Sequence, residues 1–380
     1  MFERRHLKNL DFPLIVVTIL LLLFGLVAIA SATHFTAGEK SNAPYYLTRQ
    51  VVGIFLGLAA IIFILRIDYN DLAKISRVLY GINLGLLALV DILGHTTLGA
   101  QRWIKIGPLQ LQPSELAKVL IIVTFADFLQ KREGRLNSLR QMLPCFIYIA
   151  IPALLIIKQP DLGTALVLIA IMFGMMYTAG ARPALLLAIF LGGLALAIGV
   201  VYGQYHFGWQ WPLEEYQLKR LTAFIDPTRD PLGSGYQVIQ SLVAIGSGGI
   251  FGKGLFKGTQ IGLDFLPRDE QHTDFIFAVL GEELGLIGEL VLLFLFFLFL
   301  YRCLVIAARA KDLYGTLLAA GVASMVSFHL LVNIGMTTGI MPVTGIPLPF
   351  ISYGGSSILA NLAAVGLLLN VSMRRRKITF

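Results

Sequence analysis

The stretch FPLIVVTILLLLFGLVAIAS, residues 12–31, carries no charged side chain, and its only proline stands at its second position. A helix rises ~1.5 Å per residue, so about 20 apolar residues cover the ~30 Å hydrocarbon layer of a bilayer. The run is too long for the apolar core of a signal peptide, and no small-residue cleavage site leads from it into a soluble domain. It reads as a transmembrane helix, and the pattern recurs. Further apolar blocks fall near residues 50–65, 77–95, 114–130, 142–157, 162–179, 183–202, 275–300, 315–337 and 355–373. Gln159-Pro160-Asp161 is what separates the two blocks between 142 and 179. The expected fold is an all-α integral membrane protein with about ten transmembrane helices.

Composition leads to the same class. Of the residues, 57% are hydrophobic and 14% charged, and mean hydropathy is +0.78, which excludes a water-soluble domain with an ordinary charged surface. Lys and Arg gather in alternate connecting segments, as positive residues do on the cytoplasmic side. Ten spans with both termini cytoplasmic fit that distribution. The net charge of +8 is then topological, not a footprint for nucleic acid. The tail Arg374-Arg375-Arg376-Lys377 is a candidate contact for anionic membrane lipids. Cys145 and Cys303 have neither metal-ligand spacing nor a setting that favours a disulfide.

One connection is out of proportion. Residues 203–273 form a large extracytoplasmic loop between the seventh and eighth expected spans. Its centre, GSGYQVIQSLVAIGSGG at 233–249, reads as a short amphipathic helix between glycine hinges, either re-entrant or lying on the surface. With no internal repeat and no soluble appendage, residues 1–380 read as one polytopic domain.

Ionisable groups in or beside membrane spans are costly, so each is a functional candidate. Glu115 and Lys118, in QPSELAK (112–118), share one helix face and either neutralise each other or meet a ligand. Asp161, in QPDLGT (159–164), stands where a carboxylate caps a helix or faces a substrate. Arg102-Trp103, in GAQRWI (99–104), combine an interfacial anchor with a phosphate-gripping guanidinium. Asp274 lies in HTDFIFAVLGEELGLIG (272–288), where the long loop enters the eighth span. A carboxylate there can have a raised pKa and reach a substrate hydroxyl. Neighbouring His272 has no paired spacing that would suggest a metal.

Taken together and in this order, these strings resemble the SEDS family of RodA, FtsW and SpoVE. The C-terminal NIGMTTGIMPVTGIPLPFISYGGSS (333–357) resembles that family's signature segment, and GKGLFKGTQ (252–260) is most like RodA. The resemblance covers nearly the whole chain. It implies a peptidoglycan glycosyltransferase polymerising lipid II at the outer face of the bacterial cytoplasmic membrane, in cell elongation and shape. It also implies a class B penicillin-binding protein, a transpeptidase, as partner, and undecaprenyl-diphosphate-linked glycan as the growing chain. By motif, Asp274 would be the essential carboxylate. Glu115, Lys118 and Asp161 would line a central cavity, with Arg102 and Trp103 beside it. The segment Arg268-Asp269-Glu270-Gln271 is longer than the family's pattern, so Asp269 and Glu270 are rival carboxylates. The outer cations Arg49, Arg102, Lys118 and Arg220 are candidates for a leaving diphosphate, which a divalent cation such as Mg or Mn could assist. The competing functions are a lipid II flippase or transporter, and a scaffold for the penicillin-binding protein.

Overall fold

The computed structural model describes residues 9–34, 43–97, 100–106, 109–207, 214–230, 233–263, 265–267 and 270–375. Helices dominate it. In chain order they are α1 (Phe12–Ala32), α2 (Ala43–Arg66), α3 (Tyr69–Lys74), α4 (Ser76–Leu93), α5 (Pro113–Gln130), α6 (Leu139–Lys158), α7 (Leu162–Thr178) and α8 (Pro183–Phe207). There follow α9 (Glu215–Ile225), α10 (Ser234–Gly248), α11 (Thr259–Gly262), α12 (Ile276–Ala308), α13 (Leu313–Thr337) and α14 (Gly355–Met373).

Seven of these, α1, α2, α6, α8, α12, α13 and α14, are long and apolar enough to cross a membrane, and α4 and α7 contain shorter apolar helices. The helices also wear their apolar residues on the outside. In α1, Val16, Ile19, Leu20, Leu23 and Val27 are exposed, while Leu14, Val17, Leu21 and Ala28 are buried. A helix apolar on both faces needs lipid on one of them. The chain is a multi-pass membrane protein.

The all-α expectation needs one correction. Between α4 and α5 the chain forms a three-stranded antiparallel sheet, β1 (His95–Thr97), β2 (Ala100–Ile106) and β3 (Leu109–Leu111). The sequence carries little pattern for this sheet because two of its three strands are only three residues long. Helix boundaries also move outward, most at two places: α2 starts at Ala43 and α12 runs on to Ala308. The second extension passes Arg302, whose charge ends the apolar run. Arg302 survives there because its guanidinium pairs with the buried carboxylate of Asp11, Nε to Oδ1 at 3.0 Å.

Small residues set the helix packing. Gly53 and Gly57, one turn apart on α2, face α14: a Cβ on Gly53 would lie 2.7 Å from Ile358 Cγ2, and one on Gly57 2.3 Å from Leu362 Cδ1. No hydrophobic drive separates helix from lipid, so close backbone approach of this kind supplies the association energy. Helix α12 is kinked at Gly285, which has φ 63°. The amides released by the kink are not orphaned, since Leu286 and Ile287 donate to the carbonyls of Gly249 and Ile250 at 3.0 and 3.2 Å. The segment after α10 is thereby stitched onto α12. Glu282 strengthens the seam, accepting from Lys253 Nζ at 2.6 Å and from the amides of Thr259 and Gln260 at 2.8 and 3.0 Å. Glu283 accepts from Ser31 on α1.

Candidate active site

Asp274 sits in the turn 271–275 immediately before α12, and its backbone is fixed from three directions. Asn333 of α13 donates one amide both to the Asp274 carbonyl at 2.9 Å and to the Ile346 carbonyl at 2.8 Å. Ser352 Oγ donates to the Thr273 carbonyl at 2.6 Å, and the Tyr353 amide donates to the His272 carbonyl at 2.9 Å. On the far side Gln271 Nε2 donates to the last turn of α1, at Ala32, over 2.9 Å. The loop 338–354 between α13 and α14 therefore lies directly against the Asp274 turn. Gly345 of that loop has φ 73°, and a Cβ there would stand 3.3 Å from Asp274 Oδ2 and 3.9 Å from Arg220 Nη1. The absent side chain leaves the carboxylate and the guanidinium facing one small space.

The electrostatics of that space follow from its members. Asp274 keeps part of its surface open, but its carboxylate is hemmed in by protein. Burial is the chief cause that pushes its pKa from 3.8 up to about 7, and the negative charge of Glu270 adds to it. Arg220 and Arg102 pull the value down, and Asp161 pushes it up slightly. A carboxylate poised near neutrality can both accept and return a proton at working pH. The structure thus brings within electrostatic reach of one another five residues singled out in the sequence: Asp274, Glu270, Arg220, Arg102 and Asp161. Asp269 lies outside the described residues.

Several candidates also have defined partners of their own. Asp161 is the N-cap of α7: it accepts from the Thr164 amide at 3.1 Å, the Thr164 hydroxyl at 2.9 Å, Ser114 Oγ at 3.2 Å and Gln112 Nε2 at 3.2 Å. It thereby ties the start of α5 to the start of α7. Arg102, on β2, donates to the carbonyls of Gln159, at 2.9 Å, and Pro160, holding the sheet against the break between α6 and α7. Trp103 is partly buried on the same strand, opposite His95 in the register. Lys118 and Glu115 pair at 2.8 Å and are buried.

Sequence reading missed the third member of that last cluster. His329 of α13 places Nε2 2.9 Å from Lys118 Nζ and Nδ1 2.8 Å from the Met325 carbonyl. A carbonyl only accepts, so Nδ1 carries the proton and Nε2 accepts from the ammonium. His329 and Asn333 are four residues apart and share one face of α13, so a single helix face holds both the Lys118 pair and the Asp274 turn. A histidine inside a span was signal enough to flag. Asn333, uncharged, offered none.

Arg49 lies near the N-terminal end of α2, its guanidinium 4.6 Å from the Tyr45 ring and hydrogen-bonded to Tyr353. His272 is buried against Tyr46 and Tyr353, with ring centroids 4.4 and 5.4 Å away. Among the described residues no three His, Cys, Asp or Glu side chains converge as metal ligands.

Known proteins share this architecture. Stage V sporulation protein E of Bacillus subtilis is 41% identical over 370 residues, covering 96% of this chain and 98% of its own. The probable peptidoglycan glycosyltransferase FtsW of Trichlorobacter lovleyi is 40% identical, covering 97% and 94%. The peptidoglycan glycosyltransferase MrdB of Escherichia coli K12 is 38% identical, covering 98% and 95%. Among solved structures, a chain of a peptidoglycan synthase complex that coordinates polymerisation and crosslinking superposes with TM-score 0.79 at 34% identity, covering 96% of this chain and 98% of that one. The rod shape determining protein RodA of Thermus thermophilus superposes with TM-score 0.69 at 31% identity, covering 97% and 98%. The cell cycle protein profile of FtsW, RodA and SpoVE matches residues 12–377, and the chain belongs to that family.

Proposed function

We propose that this chain is a peptidoglycan glycosyltransferase that polymerises lipid II at the outer face of the bacterial cytoplasmic membrane. The activity is the one named for its FtsW and MrdB relatives. In this reading the chain is one polytopic domain. Helices α4, α5 and α7 join the seven long apolar ones as spans, giving ten, with both termini cytoplasmic and residues 208–275 outside. The segregation of Lys and Arg supports that orientation. GKGLFKGTQ favours the elongation branch of the family, while relatives of similar identity carry names from sporulation, division and shape. The solved synthase complex supports a penicillin-binding protein as partner.

The observation that carries the reading is a carboxylate with pKa about 7 facing Arg220 across a space kept open by Gly345. Glycosyl transfer from a lipid diphosphate needs a base for the acceptor hydroxyl and a cation for the departing diphosphate. Asp274 takes the hydroxyl proton as the oxygen bonds to the anomeric carbon of the donor. The bond from that carbon to the diphosphate breaks on the opposite face, and its electron pair leaves with the diphosphate toward Arg220. Arg220 is favoured for this role because its guanidinium and the Asp274 carboxylate both border the position of Gly345.

Polymerisation of labelled lipid II by the purified chain, alone and with its penicillin-binding partner, tests the proposal. Asp274→Asn should lower the rate by roughly 10²–10⁴ while the protein stays folded. Undiminished polymer from the variant would remove Asp274 as the base. Movement of lipid II across vesicles by a wild type that makes no polymer would replace the polymerase by a transporter.

A further inference from the structure

At the opposite end of α12 from Asp274, three helices meet around a shallow cleft lined by Asp11, Val305, Ile306, Arg309, Ser372 and Arg375. Two of the three junctions are closed by direct bonds. The start of α1 is tied to α12 by the pairing of Asp11 with Arg302, and to the end of α14 by Ser372 Oγ, which donates to the Asn9 carbonyl at 3.2 Å. Among the described residues no hydrogen bond or ion pair joins α12 to α14. What that third junction holds instead is Arg309, the C-cap residue of α12, and Arg375, just past the end of α14. Neither guanidinium has a hydrogen-bond or ion-pair partner among the described residues. The carboxylate that lines the cleft is already engaged, since Asp11 pairs with Arg302 and accepts from the Leu14 amide at 3.0 Å. Two positive charges in one cleft are therefore left uncompensated.

A basic residue at a helix C-terminus can serve only to offset the negative end of the helix. In α14 that role belongs to Arg374, which hydrogen-bonds Asn370 one turn back and pairs with Asp68 at 3.2 Å. Arg375 is left over from it, and shares its cleft with a second cation that repels it unless an anion lies between them. In the orientation proposed above this is the cytoplasmic end of the bundle, level with the headgroups of the leaflet richest in anionic lipid. A guanidinium takes two phosphate oxygens at once, and Val305 and Ile306 give the cleft an apolar wall that a free phosphate would not use but the lipid backbone would. We infer that this cleft binds the phosphate of one anionic phospholipid between Arg309 and Arg375, closing the junction that the protein leaves open. At their other ends α12 and α14 carry the Asp274 turn and the loop 338–354, so the lipid acts as a clip on the two helices that frame the site.

The test uses the full chain in nanodiscs of phosphatidylcholine with a graded fraction of phosphatidylglycerol. Retained lipid is counted by native mass spectrometry, and melting temperature is read in parallel. Arg309→Gln with Arg375→Gln should weaken phosphatidylglycerol retention by about tenfold or more. Arg135→Gln with Arg140→Gln removes as many charges from exposed positions between α5 and the first turn of α6, and should change retention less than about twofold. Arg375→Gln alone, a milder change, should show part of the loss if the double variant folds poorly. Equal losses in the two pairs would reduce the effect to diffuse surface charge and overturn the inference, as would full retention by the cleft pair. Inorganic phosphate added to discs of pure phosphatidylcholine should leave the melting temperature unchanged. A rise matching that from phosphatidylglycerol would make the cleft a site for a free anion and remove the lipid. Neither readout involves turnover, so both hold or fail independently of the polymerase reading.

Discussion

Replacing Asp274 by Asn should make the protein more stable at neutral pH even as it abolishes turnover. The folded protein holds this carboxyl at a pKa of about 7 against 3.8 for the free group, chiefly by burying it and by placing Glu270 close by. A carboxylate whose folded pKa is raised destabilises the fold when ionised. The penalty is absent below pH 3.8, grows as pH rises, and is complete above about pH 7. Each pKa unit is worth about 1.36 kcal/mol, so the full penalty is at most about 4 kcal/mol. Between pH 5 and pH 8 it grows by about 3 kcal/mol. Asn has the same shape and no charge, and escapes the penalty. Thermal melts of wild type and Asp274→Asn in one detergent, at pH 5 and pH 8, read the difference. The variant should melt higher at pH 8, by several degrees, and the gap should narrow at pH 5. A variant that melts lower at both values, or a gap independent of pH, would refute the reasoning. It would mean that Asp274 holds the fold together and that its raised pKa is not the cost of a functional site.

The same electrostatics set the pH dependence of turnover: the rate should rise as Asp274 ionises, with a midpoint near pH 7. Glu270→Gln should move that midpoint down by removing a repulsive charge, and a pH profile of initial polymerisation rates that shifts upward would contradict it. Asn333→Leu removes the amide shared by the Asp274 and Ile346 carbonyls, and should cut kcat while lipid II binding persists, an outcome that equilibrium binding measured beside turnover can check. His329→Leu strips an acceptor from the buried ammonium of Lys118 and should cost about 1–3 kcal/mol of stability, whereas His329→Gln keeps an acceptor and should cost less; equal melting temperatures for the two would discount the hydrogen bond. Gly57→Leu should disrupt the seam between α2 and α14, and Leu362→Ala in the same chain should restore part of the lost melting temperature.

How far the sequence could be read depended on what each feature needed from elsewhere in the chain. Helix α1 was legible because twenty uncharged residues in water-free surroundings have one way to satisfy their amides, and nothing distant alters that. The end of α12 was not, because a charge at Arg302 stops an apolar run unless its partner is known, and that partner, Asp11, is 291 residues away. The β-sheet failed for the same reason at shorter range: a three-residue strand carries too little pattern of its own and exists only as a partner of β2. In the site, Asp274 could be proposed from its position at a helix mouth, but its poise could not, since that comes from Glu270 in the same turn together with Arg220, Arg102 and Asp161, which reach it from separate elements. Their place on the outer side nominated Lys118 and Arg102 as cations for the diphosphate, and only the fold revealed that each already has acceptors. Charged residues near a membrane are expensive, so most of them are spent on holding other groups in place. In the proposed reading the functional one is the carboxylate whose turn is anchored by Asn333, Ser352 and Tyr353, and whose Oδ2 lies beside Gly345 and Arg220.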